Sequence, residues 1–289
     1  MNINLEMLRK RSRYIQDIRG FFLGEGYLEV DTPILSDSII PESGIELFKT
    51  NLQSFGAAEL QELYLLPSPE LWMKRLIADG AGDIFQFSRC FRNREEISRL
   101  HQPEFLMLEW YAMDCDYLDS IDITEELLDA LAPADAPYLK PPFRRMTVHR
   151  AFMEYAGIDL EKCQDLDRLQ EEAERKGLSP GTNYSWADLF NAIFITWVEP
   201  KLPKEKPLIL IDYPSQVSCL ASKKAGSPWR ERWELYLKGI ETANCYTEET
   251  DPGEAEKYFA EENLGLAAAG RAEETDLSFP SMYHKPHPR

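Results

Sequence analysis

The stretch CFRNREEISRLHQPEFLMLEWY, Cys90 to Tyr111, sets Arg92, Arg94, Arg99, His101, Glu95 and Glu96 between two apolar segments. Side chains alternate along a strand. On a strand over 84–92, Gln86, Ser88, Cys90 and Arg92 therefore share one face, and Phe85, Phe87 and Phe91 the other. On a second strand over 105–111, Phe105, Met107, Glu109 and Tyr111 lie opposite Leu106, Leu108 and Trp110. If the two strands pair, Arg92, Glu109 and Tyr111 come to one side of a sheet whose other side is core. A guanidinium fixed at a strand end beside a charged loop suits a polyphosphate, because its planar fork makes bidentate hydrogen bonds to phosphate oxygens. The competing reading is a charged hairpin tip whose ion pairs contribute little.

Such a site needs a scaffold, and the chain is long enough for one. Its 289 residues suit one large domain or two small ones, and 44% hydrophobic residues provide a sizeable core. The net charge of −18 repels nucleic-acid phosphates at long range without excluding a local basic pocket. The five cysteines, Cys90, Cys115, Cys163, Cys219 and Cys245, are scattered, form no CxxC pair and accompany only four histidines. That disfavours a zinc site or a disulfide framework and fits a reducing cytoplasm. The first residues contain no apolar leader segment, and no run of eighteen apolar residues exists, so a cytoplasmic protein without a membrane span is expected.

Leu8, Ile15, Ile18 and Phe22 are spaced for an amphipathic N-terminal helix, with Gly24 and Gly26 as C-cap residues. Tyr27–Val30 reads as a short strand stopped by Pro33, residues 36–60 as loop, and Leu63–Leu66 as a strand. Ser68-Pro69-Glu70 has the composition of a helix start: a capping hydroxyl, a proline for the first turn and an acid for the positive end of the dipole. That helix runs to Gly80 and Gly82, and an acidic helix covers 118–131. APADAPYLKPP is a linker-like break, 143–200 is mostly helical, and Pro207–Tyr213 and Trp233–Ile240 are strands. The chain from Glu254 is helical and then rich in proline and histidine, with His284 and His287 read as tail rather than as metal ligands. Strands arrive both in hairpins and between helices, which favours an α+β fold.

These residues resemble a known family. Cys90–Tyr111 is similar to motif 2 of the class II aminoacyl-tRNA synthetases in its lysyl-tRNA synthetase version. GYLEVDTPIL (26–35) resembles motif 1, whose proline, here Pro33, lies at the dimer interface. LPSPELWMKRL resembles the helix start that binds the amino acid, and KGIETANCYTEETDP (238–252) the segment that holds magnesium, ATP and the substrate amine. VEPKLPKEKP and PLILIDYP add a further match, and the likeness runs to about residue 260. Motif 1 begins almost at Met1, leaving no room for the anticodon-binding barrel of a lysyl-tRNA synthetase. The resemblance is therefore nearest to the paralogues that attach (R)-β-lysine to elongation factor P, with tRNA an unlikely acceptor.

The resemblance implies a single class II catalytic domain over 1–289, mainly an antiparallel sheet flanked by helices, with a helical insertion at 143–200 and an irregular tail at 272–289. It implies that Ser68, Pro69 and Glu70 bind the amino acid, lysine or β-lysine, and that Tyr111 lines its pocket. Arg92 would hold the ATP α-phosphate and the new carboxyl oxygen as the catalytic cation. Asn93 and Gln102 would contact ATP, Glu95 would contact adenine with Glu96 as the alternative, and Phe105 would stack on adenine. Glu241 and Thr242 would meet ATP and magnesium, Asn244 the substrate carboxylate, and Glu248 its side-chain amine or a metal. Carboxylates are the hard ligands that magnesium takes beside phosphates, and Glu70 with Glu248 supplies negative charge for a diamino acid.

Motif 3, a glycine-rich strand and helix with an arginine for the γ-phosphate, is expected after residue 260 and is not found there. Gly265, Gly270 and Arg271 in GLAAAGRAEETD echo it, but the strand-forming residues are absent and AAAGR reads as a helix end. Two alternatives to the ligase therefore stand. One is a protein that binds ligand or partner without turnover, and the other an amino-acid amide synthetase using ammonia.

Overall fold

A computed structural model describes residues 4–56, 58–133, 135–179 and 184–284. In chain order its elements are α1 (Leu5–Gly24), β1 (Leu28–Glu29), β2 (Leu35–Ser36), β3 (Phe48–Leu52), β4 (Gln61–Leu65), α2 (Glu70–Ala78), β5 (Ile84–Phe91) and β6 (Glu104–Tyr111). There follow α3 (Asp119–Leu131), β7 (Arg144–Thr147), α4 (Val148–Ala151), α5 (Leu166–Arg175), α6 (Trp186–Ile193), β8 (Leu208–Pro214), β9 (Trp229–Leu237), β10 (Ile240–Tyr246) and α7 (Pro252–Ala268). The chain divides into two compact units, Met1–Asp114 with Thr250–Arg289, and Cys115–Glu249.

In the first unit β1 runs parallel to β5, and β5 pairs antiparallel with β6. The Asn4 carboxamide accepts from the Met7 amide to start α1. The helix ends at Gly24, and Gly26 takes φ +88°, a left-handed turn that glycine enters without a Cβ clash. Phe22 is the buried residue of α1 and stacks on Phe85 at 4.9 Å, with Tyr27 and Trp110 around it. A second sheet has the order β2-β4-β3. Its β3 falls in the 36–60 region expected to be loop. FKTNL is almost wholly exposed and lacks apolar alternation, so backbone pairing with β4 makes the strand and the pattern could not reveal it. In α7 the Asp251 carboxylate caps the amides of Gly253 and Glu254, and Pro252 occupies the first turn. The helix end expected at AAAGR is present, with Gly270 at φ +70°. Phe279 stacks on Phe259 at 5.4 Å, and Arg75 pairs with the buried Asp276. His287 lies outside the described residues.

The second unit is built on a sheet of order β10-β9-β8-β7, antiparallel except for the β7–β8 pair. Leu208 and Leu210 of β8 enter a core with Phe152, Leu189, Phe190 and Ile193 from the helical 143–200 region. Ile209 faces the other way, onto Ile121 of α3, Trp233 and Leu235. With both faces covered, LILIDYP reads as continuous apolar sequence rather than as an alternation. Ser185 and Asp188 form a reciprocal capping box at α6. The strand expected at Trp233–Ile240 starts earlier, at Trp229, and stops at Leu237. Lys238 and Gly239 then turn with φ +54° and +79° into β10, a strand the sequence concealed because ETANCY is polar and largely exposed. No helix among the described residues is long and apolar enough to cross a membrane.

Candidate active site

The expected residues divide between the two units. In the first, the β5–β6 register sets Ile84 opposite Tyr111, Gln86 opposite Glu109, Ser88 opposite Met107 and Cys90 opposite Phe105. Directly opposed residues point to the same face. Arg92, Phe105, Glu109 and Tyr111 therefore share one side, as the alternation predicts. The opposite side is core where Phe85 meets Phe22, but Gln86, Ser88 and Cys90 are buried too, so both faces of β5 are covered over most of its length. The Arg92 amide donates to the Pro103 carbonyl at 3.1 Å, which closes the hairpin mouth. Its guanidinium carbon lies 5.4 Å from the Phe105 ring centroid, and one terminal nitrogen is 3.7 Å from Glu95. Its Nε is buried and has no hydrogen-bond partner among the described residues. A buried donor left unmade costs on the order of 1–3 kcal/mol, which a bound oxygen would recover.

The loop around this cation is tied down locally. The Asn93 amide donates to the Glu46 carbonyl at 2.8 Å, and its carboxamide accepts from the Arg94 amide at 3.0 Å. Arg94 adopts φ +54°, where a non-glycine residue is uncommon. Glu95 rather than Glu96 meets Arg92. The Gln102 carboxamide donates to the Ser98 carbonyl at 2.6 Å, and the Ser98 hydroxyl accepts from the amides of Leu100 and His101, so Gln102 is engaged in folding its own loop. The Tyr111 hydroxyl donates to Glu109 at 3.0 Å, and its ring packs against Met73, Ile77 and Ile84.

Ser68 and Glu70 line a small cleft with Ile39, Ile40, Glu42, Leu66, Pro67 and Leu71. Ser68 does not cap the helix, contrary to its reading as a capping hydroxyl. The N-cap position is Pro69, buried and without a side-chain cap, so the Ser68 hydroxyl is not consumed there. The Glu70 carboxylate lies 2.7 Å from the ammonium of Lys74, which is 3% exposed. The carboxylate expected to meet a substrate amine thus already balances a buried cation one turn along α2.

Arg271, the echo of the γ-phosphate arginine, donates to the Ser43 and Ile45 carbonyls at 2.9 and 2.6 Å and meets Glu273 at 3.0 Å. All its bonds go to the fold of the first unit.

In the second unit, Glu241, Thr242, Asn244 and Glu248 lie on β10 and just beyond it. A bulge between Glu241 and Ala243 interrupts the pairing at Thr242, whose hydroxyl donates to the Ile240 carbonyl at 3.1 Å. Ala243 and Cys245 pack onto the α3 side, while Glu241 pairs with Tyr236, Asn244 with Glu234 and Tyr246 with Arg232. The Arg232–Glu234–Tyr236 row was not among the residues singled out from the sequence. Glu234 is 8% exposed, receives Arg232 at 2.9 Å and accepts from the Tyr236 hydroxyl at 2.8 Å. Burial holds the Tyr236 phenol well above its ordinary range, and the charges of Glu234 and Glu241 act the same way. The available signal was WRERWELYL itself, a core strand with charge at alternate positions.

The antiparallel sheets, the half-buried arginine over an aromatic ring and the carboxylate-bearing edge strand agree with one established class. The chain belongs to the class II tRNA synthetase family: its sequence matches the family described as tRNA synthetases class II (D, K and N) over residues 2–285. Among curated proteins it is 36% identical over 267 residues to the elongation factor P–(R)-β-lysine ligase of Hamiltonella defensa, covering 91% of this chain and 79% of that one. The ligase of the same name from Proteus mirabilis is 35% identical over 270 residues, covering 92% of this chain and 81% of the relative. A protein of Aquifex aeolicus described as a homologue of that ligase is 37% identical over 258 residues, with coverage of 89% and 83%.

Proposed function

We propose that this protein activates lysine or (R)-β-lysine with ATP to an aminoacyl-adenylate and transfers the acyl group to a lysine of elongation factor P. The names of its relatives support the acceptor and the amino acid. The observation that carries the site is Arg92, a half-buried guanidinium over Phe105 with an unsatisfied buried Nε. The amino-acid carboxylate attacks the α-phosphorus of ATP and pyrophosphate leaves. An acceptor amine then attacks the acyl carbon of the mixed anhydride and AMP leaves. Both steps need positioning and charge neutralisation more than a dedicated base.

Arg92 holds the α-phosphate and the carboxyl oxygen, Phe105 stacks on adenine, and Asn93, Glu95 and Gln102 edge the nucleotide. Ser68, Pro69, Glu70, Tyr111 and Asn244 bind the amino acid, and Glu248 its side-chain amine. The exposed Glu241 carboxylate fits a hard cation, with half-exposed Glu248 as a second ligand only in the alternative to its amine role. Magnesium bound there would neutralise phosphate charge, with Thr242 beside it. The single-domain reading, the homodimer and the cytoplasmic location belong to the same proposal. Support for the dimer through motif 1 comes from Leu5, Met7, Leu8 and Leu23 on α1 and Leu28 and Leu35 near Pro33, all exposed apolar side chains.

Amino-acid-dependent ATP–pyrophosphate exchange tests the proposal. Exchange with lysine or β-lysine, and none with aspartate plus ammonia, is expected. Folded protein without exchange for any amino acid would leave a binding protein, and exchange with aspartate alone an amide synthetase.

A further inference from the structure

Glu248 sits beyond the end of β10, where no regular ladder fixes it. Its backbone is held instead by the strap 220–224. Ala221 and Glu248 form an antiparallel bridge, the Ser222 amide donates to the Thr247 carbonyl at 2.9 Å, and the Ser222 hydroxyl donates to the Glu248 carbonyl at 2.7 Å. The Glu249 amide donates to the Leu220 carbonyl at 2.9 Å. The orientation of Glu248 therefore depends on what anchors the strap.

One anchor is a charge cluster in which Asp212 and Tyr117 are buried and Lys224 is half-exposed. Asp212 sits at the bulge of β8 with φ +64° and is 7% exposed. Its two oxygens lie 3.0 and 2.9 Å from the Lys224 ammonium at the end of the strap. The Tyr117 hydroxyl donates to Asp212 at 2.8 Å and lies 3.2 Å from the same ammonium. The Tyr117 amide in turn donates to the Thr247 hydroxyl at 2.9 Å. The cluster thus grips both sides of residue 248, the strap through Lys224 and the adjoining residue through Tyr117. A left-handed backbone at a non-glycine residue persists only where its surroundings enforce it, and an aspartate there carries a carboxylate to this point.

We infer that Asp212, Lys224 and Tyr117 form a brace that positions Glu248 and so sets the protein's affinity for a cationic amino-acid side chain; this rests on the role proposed above for Glu248. None of the three is offered as touching substrate. A displacement of Glu248 of the order of 1 Å weakens a positioned contact by about tenfold to a hundredfold.

The test uses Asp212→Asn, which keeps the side-chain shape, tolerates the left-handed backbone and removes the charge facing Lys224. The brace predicts that KM for the amino acid rises at least about tenfold, with KM for ATP, kcat of exchange and the melting temperature little changed. Lys224→Met should do the same, the double variant should be no worse than either single, and Lys224→Arg should restore near wild-type KM. A lowered melting temperature with unchanged KM would overturn the brace, as would equal rises in KM for both substrates. Wild-type protein that exchanges with no cationic amino acid would remove the Glu248 reading itself, and the brace with it. Wild-type exchange with an unaltered KM in Asp212→Asn retires the brace alone.

Discussion

Replacing Arg92 by alanine separates catalysis from folding. In the fold its side chain makes a cation–π contact with Phe105 at 5.4 Å and an ion pair with Glu95 at 3.7 Å, both at the half-exposed mouth of the β5–β6 hairpin. An exposed cation–π contact contributes about 0.5–1 kcal/mol and an exposed ion pair about 0.2–1 kcal/mol. Removal also relieves the buried unsatisfied Nε, so the net loss of stability is about 1 kcal/mol or less. The hairpin closure through the Arg92 amide and Pro103 survives the substitution. In the proposed mechanism the same guanidinium meets charge developing on the α-phosphate in the transition state. Losing one such preorganised donor lowers kcat by roughly 100- to 1,000-fold, about 3–4 kcal/mol. Pyrophosphate exchange should therefore fall by that factor in Arg92→Ala while thermal unfolding barely moves. Arg92→Lys keeps the charge, loses the fork and should fall between the two. Wild-type exchange in the alanine variant would refute the reasoning, because no other role of Arg92 predicts a rate effect.

Three further outcomes follow from burial. Desolvation raises the buried Cys90 thiol to about 11, so it should resist iodoacetamide at pH 8 in folded protein, with mass spectrometry finding label first on half-exposed Cys115 and Cys219. The Tyr117 phenol is raised from 10.0 to about 12, first by burial and then by its bond to Asp212. The folded state thus holds that proton more tightly. The stabilisation is full below pH 10 and is lost as pH rises towards 12. Urea midpoints across that window should fall more steeply for wild type than for Tyr117→Phe, and equal slopes would contradict it. If the proposed dimer forms through α1, wild type should sediment as a dimer and Leu8→Glu as a monomer with the melting temperature unchanged, and a monomeric wild type would contradict it.

The paired strands β5 and β6 were legible as two apolar runs on either side of a charged loop. β3 and β10 were not legible. FKTNL and IETANCY are exposed, polar strands whose existence depends on a partner far along the chain, a term no local pattern contains. Motif likeness located Arg92, Glu241 and Glu248 but said nothing of what they touch. Lys74 beside Glu70 and the Arg232–Glu234–Tyr236 row arise from helical spacing and strand register, and they became evident only with the side chains placed. Ser68 shows the limit of composition: Ser-Pro-Glu reads as a capped helix start, yet the helix begins one residue too late for the hydroxyl to cap it.

The proposed reaction makes a β-lysyl adenylate and delivers its acyl group to a protein lysine. The most direct measurement is the intact mass of elongation factor P after incubation with this protein, ATP, magnesium and (R)-β-lysine. The account predicts a gain of one β-lysyl group on a single lysine, absent without ATP and absent with Arg92→Ala. Unmodified elongation factor P, from wild-type protein that is folded and binds ATP, would contradict it.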